Sequence, residues 1–463
     1  MTGINGITSA IGLLIPLWAG WSLCSFLSRE NPPPWRIQLS LSYGVGAGLL
    51  SLWMFTLGIL HIPFSRLTIG FPLLGFSLIC LIASKTNPTN SQSKNTFVRE
   101  PASPTSSGSE LLRPWQAGVI LSYIAINVFI IIWQTLNVPV HFFDELATIA
   151  FKAKIFFYER GLPDLSALPH SPYPLMVPFL QSWTALSAGE WSDLSIKTGA
   201  VLCFLSFLWM QYEFLKRLTS RTHALAGVAL LLSANLFCVH ATTAYQDFTM
   251  MYFNCTTLML LVFWHASGNL SYLKLSSLMA GFGTFVKLEG TAYLLIHIFV
   301  FMIINYSRAP YNRQQKLKNL RLFIVPAVGI CLMFHLYKII CYAWLKGIAL
   351  TEKTRIDFYW GKILLVPHMI KVFLYNIFLT GNWNLVWLLA ALSFFPLRRK
   401  DKNQAVVIIK TALISYIALY FGVGFLTENY VWIFGESNIT GASRLILHYF
   451  PLAVLVIVLD SYK

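Results

Sequence analysis

Long uninterrupted apolar segments are the feature that most restricts how this chain can fold. Hydrophobic runs of roughly 20 residues, the length that an α-helix needs to cross a ~30 Å hydrocarbon core, recur from Ile11 to the C-terminus with short polar links between them. Of the 463 residues, 56% are hydrophobic and only 11% are charged, a balance too apolar for a soluble domain. The sequence therefore predicts an all-α, polytopic integral membrane protein.

The spacing of the apolar runs predicts about 13 membrane-crossing helices. They are expected at about 7–27, 37–60, 65–83, 115–136, 196–215, 223–241, 247–267, 272–287, 289–306, 321–344, 381–397, 404–425 and 443–460. No basic segment precedes the first run, so we interpret it as a retained helix rather than a cleaved signal peptide. Segment 361–380 could also cross. We predict that it lies in the interface instead, because another crossing would move the basic run 398–402 to the outside.

Positive charge lies in the short links between the apolar runs. The formal net charge is +16, and basic clusters occur at 216–221, 308–321 and 398–402. Links of this kind usually stay inside the cell, so the clusters predict membrane topology rather than nucleic-acid binding. The N-terminus is then expected outside and the C-terminus inside a bacterial-type inner or plasma membrane.

Composition divides the chain into three parts. Segment 84–114 is rich in Ser, Pro, Thr and Asn and has little apolar surface to bury, which predicts a disordered cytoplasmic linker. It separates an N-terminal three-helix membrane unit, 1–83, from a larger transmembrane module, 115–463. The two longest outer loops of that module, 137–195 and 345–380, carry acids at their rims. Transporters more often place ionisable residues at mid-membrane, so this distribution favours a surface enzyme.

The strongest chemical signal is the segment VHFFDELATIAFKAKIFFYERG, which begins at Val140. It places Asp144 and Glu145 together at the membrane edge, before an amphipathic stretch that includes Lys152. A carboxylate at this depth can accept a proton from an acceptor hydroxyl or amine as that group attacks an activated sugar carbon. Alternatively, the acid pair ends a helix and faces solvent.

A second signal is the proline-rich segment LPHSPYPLMVPFLQSW, which begins at Leu168. Its four prolines break helices, yet the segment is too apolar for an exposed loop, so we expect it to lie back on the membrane. His170 and Tyr173 could contact a substrate there. The alternative for His170 is a packed loop histidine.

Three more charged residues lie at tight outer turns. The segment AYQDFTMMYF places Asp247 at the mouth of a helical hairpin, on the same side as Asp144, and FVKLEGTAYLL places Lys287 and Glu289 in another turn. Charges between two apolar helices are costly unless they are paired or hydrated, which favours a functional role. A purely structural pair of Lys287 with Glu289 is the alternative.

The last signal is ITGASRLILHYFPLAVLVI, in which Arg444 opens the final helix and His448 follows one turn later on the same face. An arginine suits a phosphate because its charge is permanent and its planar fork is bidentate. Snorkelling of Arg444 to lipid headgroups is the alternative.

No set of residues has the spacing of a known metal site. His141, Asp144 and His170 could be assembled into one, but their spacing matches no ligand rule, so a divalent metal is possible without support from the sequence. The cysteines form no CxxC pair, and neither a zinc site nor a disulfide scaffold is suggested. We expect no cofactor.

Taken together, these segments resemble the GT-C superfamily of membrane glycosyltransferases, particularly the branch that holds protein O-mannosyltransferases and the lipid A aminoarabinose transferase. The resemblance runs from about Trp115 to Ser461. It is carried by the Asp144-Glu145 pair, then YPLMVPFLQSW, YQDFTMMYF, FVKLEG and SRLILHYFPLA, in that order. Two features depart from many members: three helices precede the module, and no large soluble domain follows it in this sequence. The substrate identity is therefore not transferred.

The resemblance implies an inverting transfer of a hexose or pentose from a polyprenyl-phosphate-linked donor to a protein, lipid or glycan acceptor, on the outer, periplasmic face. It implies Asp144 as the general base, Asp247 as a second acid near the acceptor, and Arg444 as a contact to the donor phosphate. Glu145 is expected as a further catalytic residue beside Asp144. Further substrate-binding residues are then Lys287, Glu289, His170, Tyr173 and His448.

Two other functions remain open from the sequence. A lipid or polysaccharide carrier would also be basic inside and aromatic at the interfaces, but it should tolerate isosteric loss of the outer-loop carboxylate better than an enzyme does. A glycan polymerase or ligase would depend more on outer arginines and histidines than on an aspartate base. In each case the partners are membrane lipids and glycans, with no nucleic acid.

Overall fold

The computed structural model describes residues 3–86, 113–171, 173–307, 311–340, 357, 359–395, 404–435 and 439–462. Most of the expected linker 84–114 therefore lies outside the described residues. The same holds for the basic run 398–402 and for the first part of the expected outer loop 345–380.

The architecture is all-helical, which confirms the predicted fold class. The helices are α1 Gly3–Leu27, α2 Trp35–Ile59, α3 Arg66–Lys85, α4 Pro114–Asn137, α5 Ala150–Glu159, α6 Met176–Ala188, α7 Thr198–Leu218, α8 Arg221–Leu232, α9 Asn235–Ala241, α10 Gln246–Ser267, α11 Leu270–Thr284, α12 Glu289–Ser307, α13 Arg313–Lys338, α14 Val366–Phe378, α15 Val386–Leu392, α16 Gln404–Leu426, α17 Tyr430–Phe434, α18 Ile439–Leu447 and α19 Phe450–Ser461. Short 3-10 and π turns join several of them.

Fewer helices than predicted have the length and composition of a membrane span. In the described part of the chain eight helices pass this test, or ten if each of two bent pairs counts as one span. The bent pairs are α8 with α9, at 80°, and α18 with α19, at 50°. Helices α10 and α11 form as predicted but are not among those that pass, and α1 contributes only the shorter apolar helix Ile11–Leu27. The count of about 13 crossings is not confirmed.

The segment before α16 differs most from the prediction. Helix Trp360–Phe378 has the length and hydropathy of a span, although we expected it to lie in the interface. Within the described part of the expected crossing 381–397, only the seven residues of α15 are α-helical. Gly381 and Asn384 both have positive φ, a conformation that an α-helix cannot continue through, so the chain breaks between α14 and α15.

Local sequence signals fix several helix ends near the polar links. Ser65 caps α3 by accepting the N–H of Thr68, whose own hydroxyl accepts the N–H of Ser65. Asn312 and Gln315 form the same reciprocal arrangement at the start of α13. These caps satisfy backbone N–H groups that would otherwise have no partner at a helix start.

The first three helices pack directly against the larger module. The indole N–H of Trp183 donates to the carbonyl of Gly12 at 3.0 Å, and the hydroxyl of Tyr252 donates to the carbonyl of Ser40 at 2.7 Å. At Gly44 a Cβ would approach the Tyr252 ring to 2.5 Å, so only glycine permits this contact between α2 and α10. Interhelical hydrogen bonds and small residues at close crossings are common in membrane bundles.

Two helix breaks meet beside α18. The N–H of Leu236 at the start of α9 donates to the carbonyl of Asn382, in the break after α14. The amide of Asn382 donates to the hydroxyl of Ser443 at 3.0 Å, and that hydroxyl donates to the side chain of Asn376 at 2.7 Å. Backbone groups freed by the breaks therefore find partners inside the protein, as the interior of a membrane requires.

The two ends of the bundle carry different charged groups. Helices α8 and α9 return the chain to the end at which α10 begins, and the first turn of α10 carries Asp247. At the opposite end, the last turn of α7 carries Arg217, and the buried Glu213 approaches the guanidinium groups of Arg36 at 3.6 Å and of Arg217 at 4.0 Å. The candidate site and the basic end of α7 are thus separated by the length of the helices.

Candidate active site

Six of the sequence-predicted site residues form one cluster at the end of the bundle where α10 and α12 begin. They come from the loop before α5, from the first turn of α10, from the turn that leads into α12 and its first residue, and from the α18–α19 region. The six are Asp144, Asp247, Lys287, Glu289, Arg444 and His448.

Asp247 is the centre of this cluster. Its side chain is completely buried, and both carboxylate oxygens accept two hydrogen bonds. Oδ1 lies 2.9 Å from Nζ of Lys287 and 3.0 Å from Nε2 of His448. Oδ2 accepts from Nε of Arg444 at 3.0 Å and from Nη2 at 2.8 Å. A carboxylate with four donors has little capacity left to accept a proton, so Asp247 is an anchor for the cations around it.

Arg444 links the buried anchor to the exposed edge of the site. Its Nε and Nη2 grip Asp247 in a bidentate arrangement, whereas Nη1 donates to Oδ2 of Asp144 at 2.5 Å. The guanidinium also lies 4.6 Å from the centre of the Tyr245 ring, a distance suited to a cation–π contact. The side chain keeps 18% exposure. Arg444 can therefore meet a ligand at the surface without losing its buried support.

Asp144 is the accessible carboxylate of the site. Its side chain is 43% exposed, against none for Asp247. Arg444 binds Oδ2, while Oδ1 has no hydrogen-bond partner within the described residues. The carbonyl of Asp144 accepts the hydroxyl of Thr148, which holds the start of the following helical turn. This geometry leaves one carboxylate oxygen able to receive a proton from an incoming group.

Lys287 and Glu289 lie on the other side of the anchor. Nζ of Lys287 is 2.9 Å from Asp247 and 3.0 Å from Glu289, so the structural pair expected as an alternative does form, as part of a larger network. Burial alone would lower the pKa of Lys287, but the carboxylates of Asp247 and Glu289 outweigh it and raise that pKa above its ordinary value. Lys287 is therefore a permanent cation beside the anchor.

Glu145 is adjacent to Asp144 in sequence but does not join the cluster. Its side chain is buried, and its carboxylate accepts the backbone N–H of Ala244 and, at 3.4 Å, that of Phe142. Burial raises the pKa of the Glu145 carboxyl, although these hydrogen bonds and the charge of Lys197 act in the opposite direction. Glu145 thus fastens the loop before α5 to the turn before α10, and this geometry gives it no direct access to a substrate.

His170 and Tyr173 belong to a loop that covers one side of the site. The carbonyl of His170, whose φ is +49°, accepts Nζ of the buried Lys152 at 2.7 Å. Burial lowers the pKa of Lys152 to about 7. Burial also raises the pKa of Tyr173, which feels the charges of Glu289 and Lys287. The loop is therefore anchored through the backbone of His170. Tyr173 is close enough to the cluster for its charges to affect the pKa of the phenol.

Two tyrosines of the site were missed by the sequence reasoning. Tyr245 stacks under Arg444, and burial raises the pKa of its phenol to about 12. Tyr293 places its hydroxyl 2.8 Å from Nδ1 of His448. Tyr245 precedes Asp247 by two residues and Tyr293 follows Glu289 by one turn, so both lay within the segments that carried the signal. Nothing in the sequence distinguished them from packing aromatics.

Residues that could have formed a metal site are not brought together as one. In the ranges that the structure describes, no group of three or more His, Cys, Asp or Glu has an arrangement that could hold a metal ion. Nδ1 of His141 lies 3.0 Å from the carbonyl of Pro139, and His141 stacks on Phe142. The carboxylates at this site are paired with Lys287 and Arg444.

The arrangement combines an accessible carboxylate with two fixed cations. A group whose negative charge grows during a reaction could be stabilised by Arg444 and Lys287, both preorganised by Asp247. A proton could leave to Asp144 at the same surface. The arrangement is suited to displacing a phosphate leaving group by a nucleophile that must lose a proton.

Comparison with protein families agrees with this chemistry. Residues 172–350 match the family model described as dolichyl-phosphate-mannose-protein mannosyltransferase. That family belongs to the GT-C superfamily of membrane glycosyltransferases, which confirms the resemblance drawn from the sequence, and it implies use of a polyprenyl-phosphate-linked sugar. The match includes Asp247 and Lys287, whereas Asp144 and Arg444 lie outside it. No curated protein and no solved structure matches the chain.

Proposed function

We propose that this protein is an inverting glycosyltransferase that moves a hexosyl or pentosyl group from a polyprenyl-phosphate-linked donor to an acceptor at the outer face of the membrane. The observation that supports this most directly is the contact between the accessible Asp144 and Arg444, whose guanidinium is held from behind by the buried Asp247. The proposed general base, Asp144, is therefore in direct contact with the proposed phosphate-binding residue, Arg444. A polyprenyl-phosphate donor keeps its tail in the bilayer and requires both groups at that depth.

The proposed reaction is a single displacement at the anomeric carbon. The acceptor oxygen or nitrogen attacks that carbon while its proton passes to Oδ1 of Asp144. The bond between the anomeric carbon and the phosphate oxygen breaks, and its electron pair leaves with the polyprenyl phosphate. Arg444 and Lys287 stabilise the growing charge on that leaving group. Because attack and departure occur on opposite sides of the carbon, its configuration inverts.

The outer-face location is part of this proposal. It is supported by the separation between the acidic cluster and the basic end of α7, since basic links tend to remain inside the cell. A polyprenyl-phosphate sugar at the outer leaflet presents its headgroup where Asp144 and Arg444 lie in this topology. The acceptor can be a protein, a lipid or a glycan.

The test is the transfer activity of Asp144→Asn. Membranes that contain the protein are supplied with a radiolabelled polyprenyl-phosphate hexose, and the label is followed into the protein, lipid and glycan fractions. We expect the variant to lose about 10²- to 10⁴-fold in rate, because loss of a positioned general base typically costs that much. Donor binding should remain close to wild type, since asparagine keeps the size of the aspartate side chain.

A matched control comes from the same outer segment. Glu159 is exposed at the end of α5, away from the cluster, so Glu159→Gln removes a similar charge without touching the site. It should transfer sugar at the wild-type rate. A wild-type protein that only carries the labelled lipid across the bilayer, without forming a new glycosidic bond, would refute the enzymatic function in favour of a carrier.

A further inference from the structure

We propose that Tyr293 is a positioning residue of this site, which stabilises the tautomer of His448 whose Nε2–H donates to Asp247. This inference rests on the proposed function, because what His448 and Asp247 together position is Arg444. Among the described residues, the side chain of Tyr293 contacts His448 and Tyr416, behind the accessible Asp144. It lies one turn into α12 and is buried.

The geometry forms a continuous chain of hydrogen bonds. Oη of Tyr293 lies 2.8 Å from Nδ1 of His448, and Nε2 of the same ring lies 3.0 Å from Oδ1 of Asp247. His448 is fully buried, and Tyr293 retains 5% exposure. No water is needed to complete the chain.

The chemistry of the partners dictates the direction of each bond. An ionised carboxylate only accepts, so Nε2 of His448 must carry the proton that faces Asp247. In a neutral imidazole Nδ1 is then an acceptor, and the phenol of Tyr293 must donate to it. The opposite tautomer would place two acceptors face to face at Asp247. Asp247 therefore requires the Nε2–H tautomer, and the phenol of Tyr293 stabilises that tautomer by donating to Nδ1.

The position of the His448 ring is fixed independently of Tyr293. The amide of Asn254 donates to the backbone carbonyl of His448 at 2.8 Å. The side-chain carbonyl of Asn254 in turn accepts from the hydroxyl of Tyr416 at 2.6 Å, and Nε2 of His297 lies 3.0 Å from it. Because this second network holds the backbone, loss of the Tyr293 hydroxyl should change the protonation pattern of the ring rather than its place.

The consequence for the site passes through one oxygen of Asp247. His448 and Lys287 share Oδ1, while Oδ2 serves both nitrogens of Arg444. Without the His448 donor, Lys287 alone holds Oδ1, so the plane of the carboxylate is less restrained and Oδ2 can tilt out of the plane that suits the guanidinium fork. The guanidinium of Arg444 is then held less firmly in its orientation, although its charge remains.

The first measurement is spectroscopic and needs no activity. The ¹⁵N spectrum of histidine-labelled protein in nanodiscs, with His448→Gln to assign the signals, distinguishes the two neutral tautomers and the imidazolium. We expect a single Nε2–H tautomer in wild type and a mixed population in Tyr293→Phe. An Nδ1–H or doubly protonated His448 in wild type, or an unchanged signal in Tyr293→Phe, would overturn the inference.

The second measurement is the transfer rate in a double-mutant cycle. Tyr293→Phe should slow transfer about tenfold, the value of one well-placed hydrogen bond near a charged group. In the His448→Gln background, whose amide supplies a donor without tautomers, the same change should cost much less. Equal losses in both backgrounds would contradict a role through His448.

Tyr420→Phe is the matched control for a lost phenol. Tyr420 is also buried, but its hydroxyl has no hydrogen-bond partner in the described part of the chain, so this variant should transfer sugar like wild type. If none of the proteins transfers sugar, the proposed function fails. The tautomer of His448 still decides whether Tyr293 has its positioning role.

Discussion

At the scale of single residues, Arg444 has contacts that a lipid-facing arginine would not need. Its three guanidinium nitrogens all donate to carboxylates, two of them to the buried Asp247. Snorkelling to headgroups, the alternative left open by the sequence, would require the guanidinium to point to the lipid interface. The observed contacts instead support a preorganised site for a phosphate.

Substitution of Arg444 separates charge from geometry. We expect Arg444→Ala to weaken binding of the polyprenyl-phosphate donor and to slow transfer by about 10², because charge on the leaving phosphate grows in the transition state. Arg444→Lys should recover only part of this loss, since an ammonium cannot make the bidentate contact to Asp247. Donor affinity and the single-turnover rate, measured in matched nanodiscs, give the two effects separately.

Arg66 provides the control for this pair of variants. It is an exposed arginine at the start of α3, and its Nε donates to the carbonyl of Leu186. Arg66→Lys should leave donor affinity and rate unchanged. Full activity of Arg444→Lys together with unchanged donor affinity of Arg444→Ala would contradict the phosphate contact.

The sequence identified these residues but not the separate role of each one. The resemblance implied that Asp247 is a second acid near the acceptor, whereas its four hydrogen bonds make it an anchor for cations. Arg444 and Asp247 are separated by 197 positions in the chain. Contacts over such distances depend on how the helices pack, which local patterns of charge and hydrophobicity do not determine.

At the scale of secondary-structure elements, the loop before α5 is held to the bundle by a buried acid. Glu145 begins a π-helical turn that runs directly into α5, and its carboxylate accepts the N–H of Ala244 just before α10. Asp144 is thereby fixed relative to Asp247. The adjacent acids were predicted as a catalytic pair, but burial gives them different roles.

Substitution of Glu145 should affect stability through its protonation state. Burial raises its pKa in the folded protein above the unfolded value, so folding favours the protonated carboxyl and stability is lost as the pH rises through the folded pKa. Glu145→Gln keeps an acceptor for Ala244 without a charge. We therefore expect the difference between the melting temperature of Glu145→Gln and that of wild type to become more positive as the pH rises from 4 to 8. The variant should retain its transfer activity.

Glu145→Leu tests the hydrogen bond itself. It leaves the N–H of Ala244 without an acceptor, which costs about 1–3 kcal/mol in a buried site. Its melting temperature should fall below that of wild type at every pH. A Gln variant that is inactive but fully folded would instead assign chemistry to Glu145.

Helix identity was easier to predict than helix continuity. The apolar runs correctly located α2, α3, α4, α7, α12 and α16, because each is long and uniformly hydrophobic. The boundary between segment 361–380 and the next helix was predicted, but the crossing expected from position 381 begins inside the break between α14 and α15, since Gly381 and Asn384 stand in a segment whose overall hydropathy still suits a helix. Breaks of this kind are stabilised by distant partners such as Ser443, and the local sequence does not reveal those partners.

At the scale of the whole molecule, the candidate active site and the basic helix ends lie at opposite ends of the bundle. The acidic cluster surrounds the starts of α10 and α12, whereas the last turn of α7 and the start of α13 carry basic residues. The positive-inside tendency favours the proposed outer-face location of the site. A donor anchored by a polyprenyl tail can reach the site only from the leaflet that faces it, so the topology decides which pool of lipid-linked sugar is used.

Accessibility of single introduced cysteines tests that topology. Position 159 lies at the exposed end of α5, in the same outer segment as Asp144 but away from the cluster, whereas position 313 lies at the exposed start of α13. In intact cells a membrane-impermeant maleimide should label position 159 but not position 313, and permeabilisation should make position 313 reactive. Wild type measures the background, because the native cysteines in the described ranges are buried or half-buried. Labelling of position 313 in intact cells would show that the bundle has the opposite orientation in the membrane. The site would then bind lipid-linked donors of the inner leaflet.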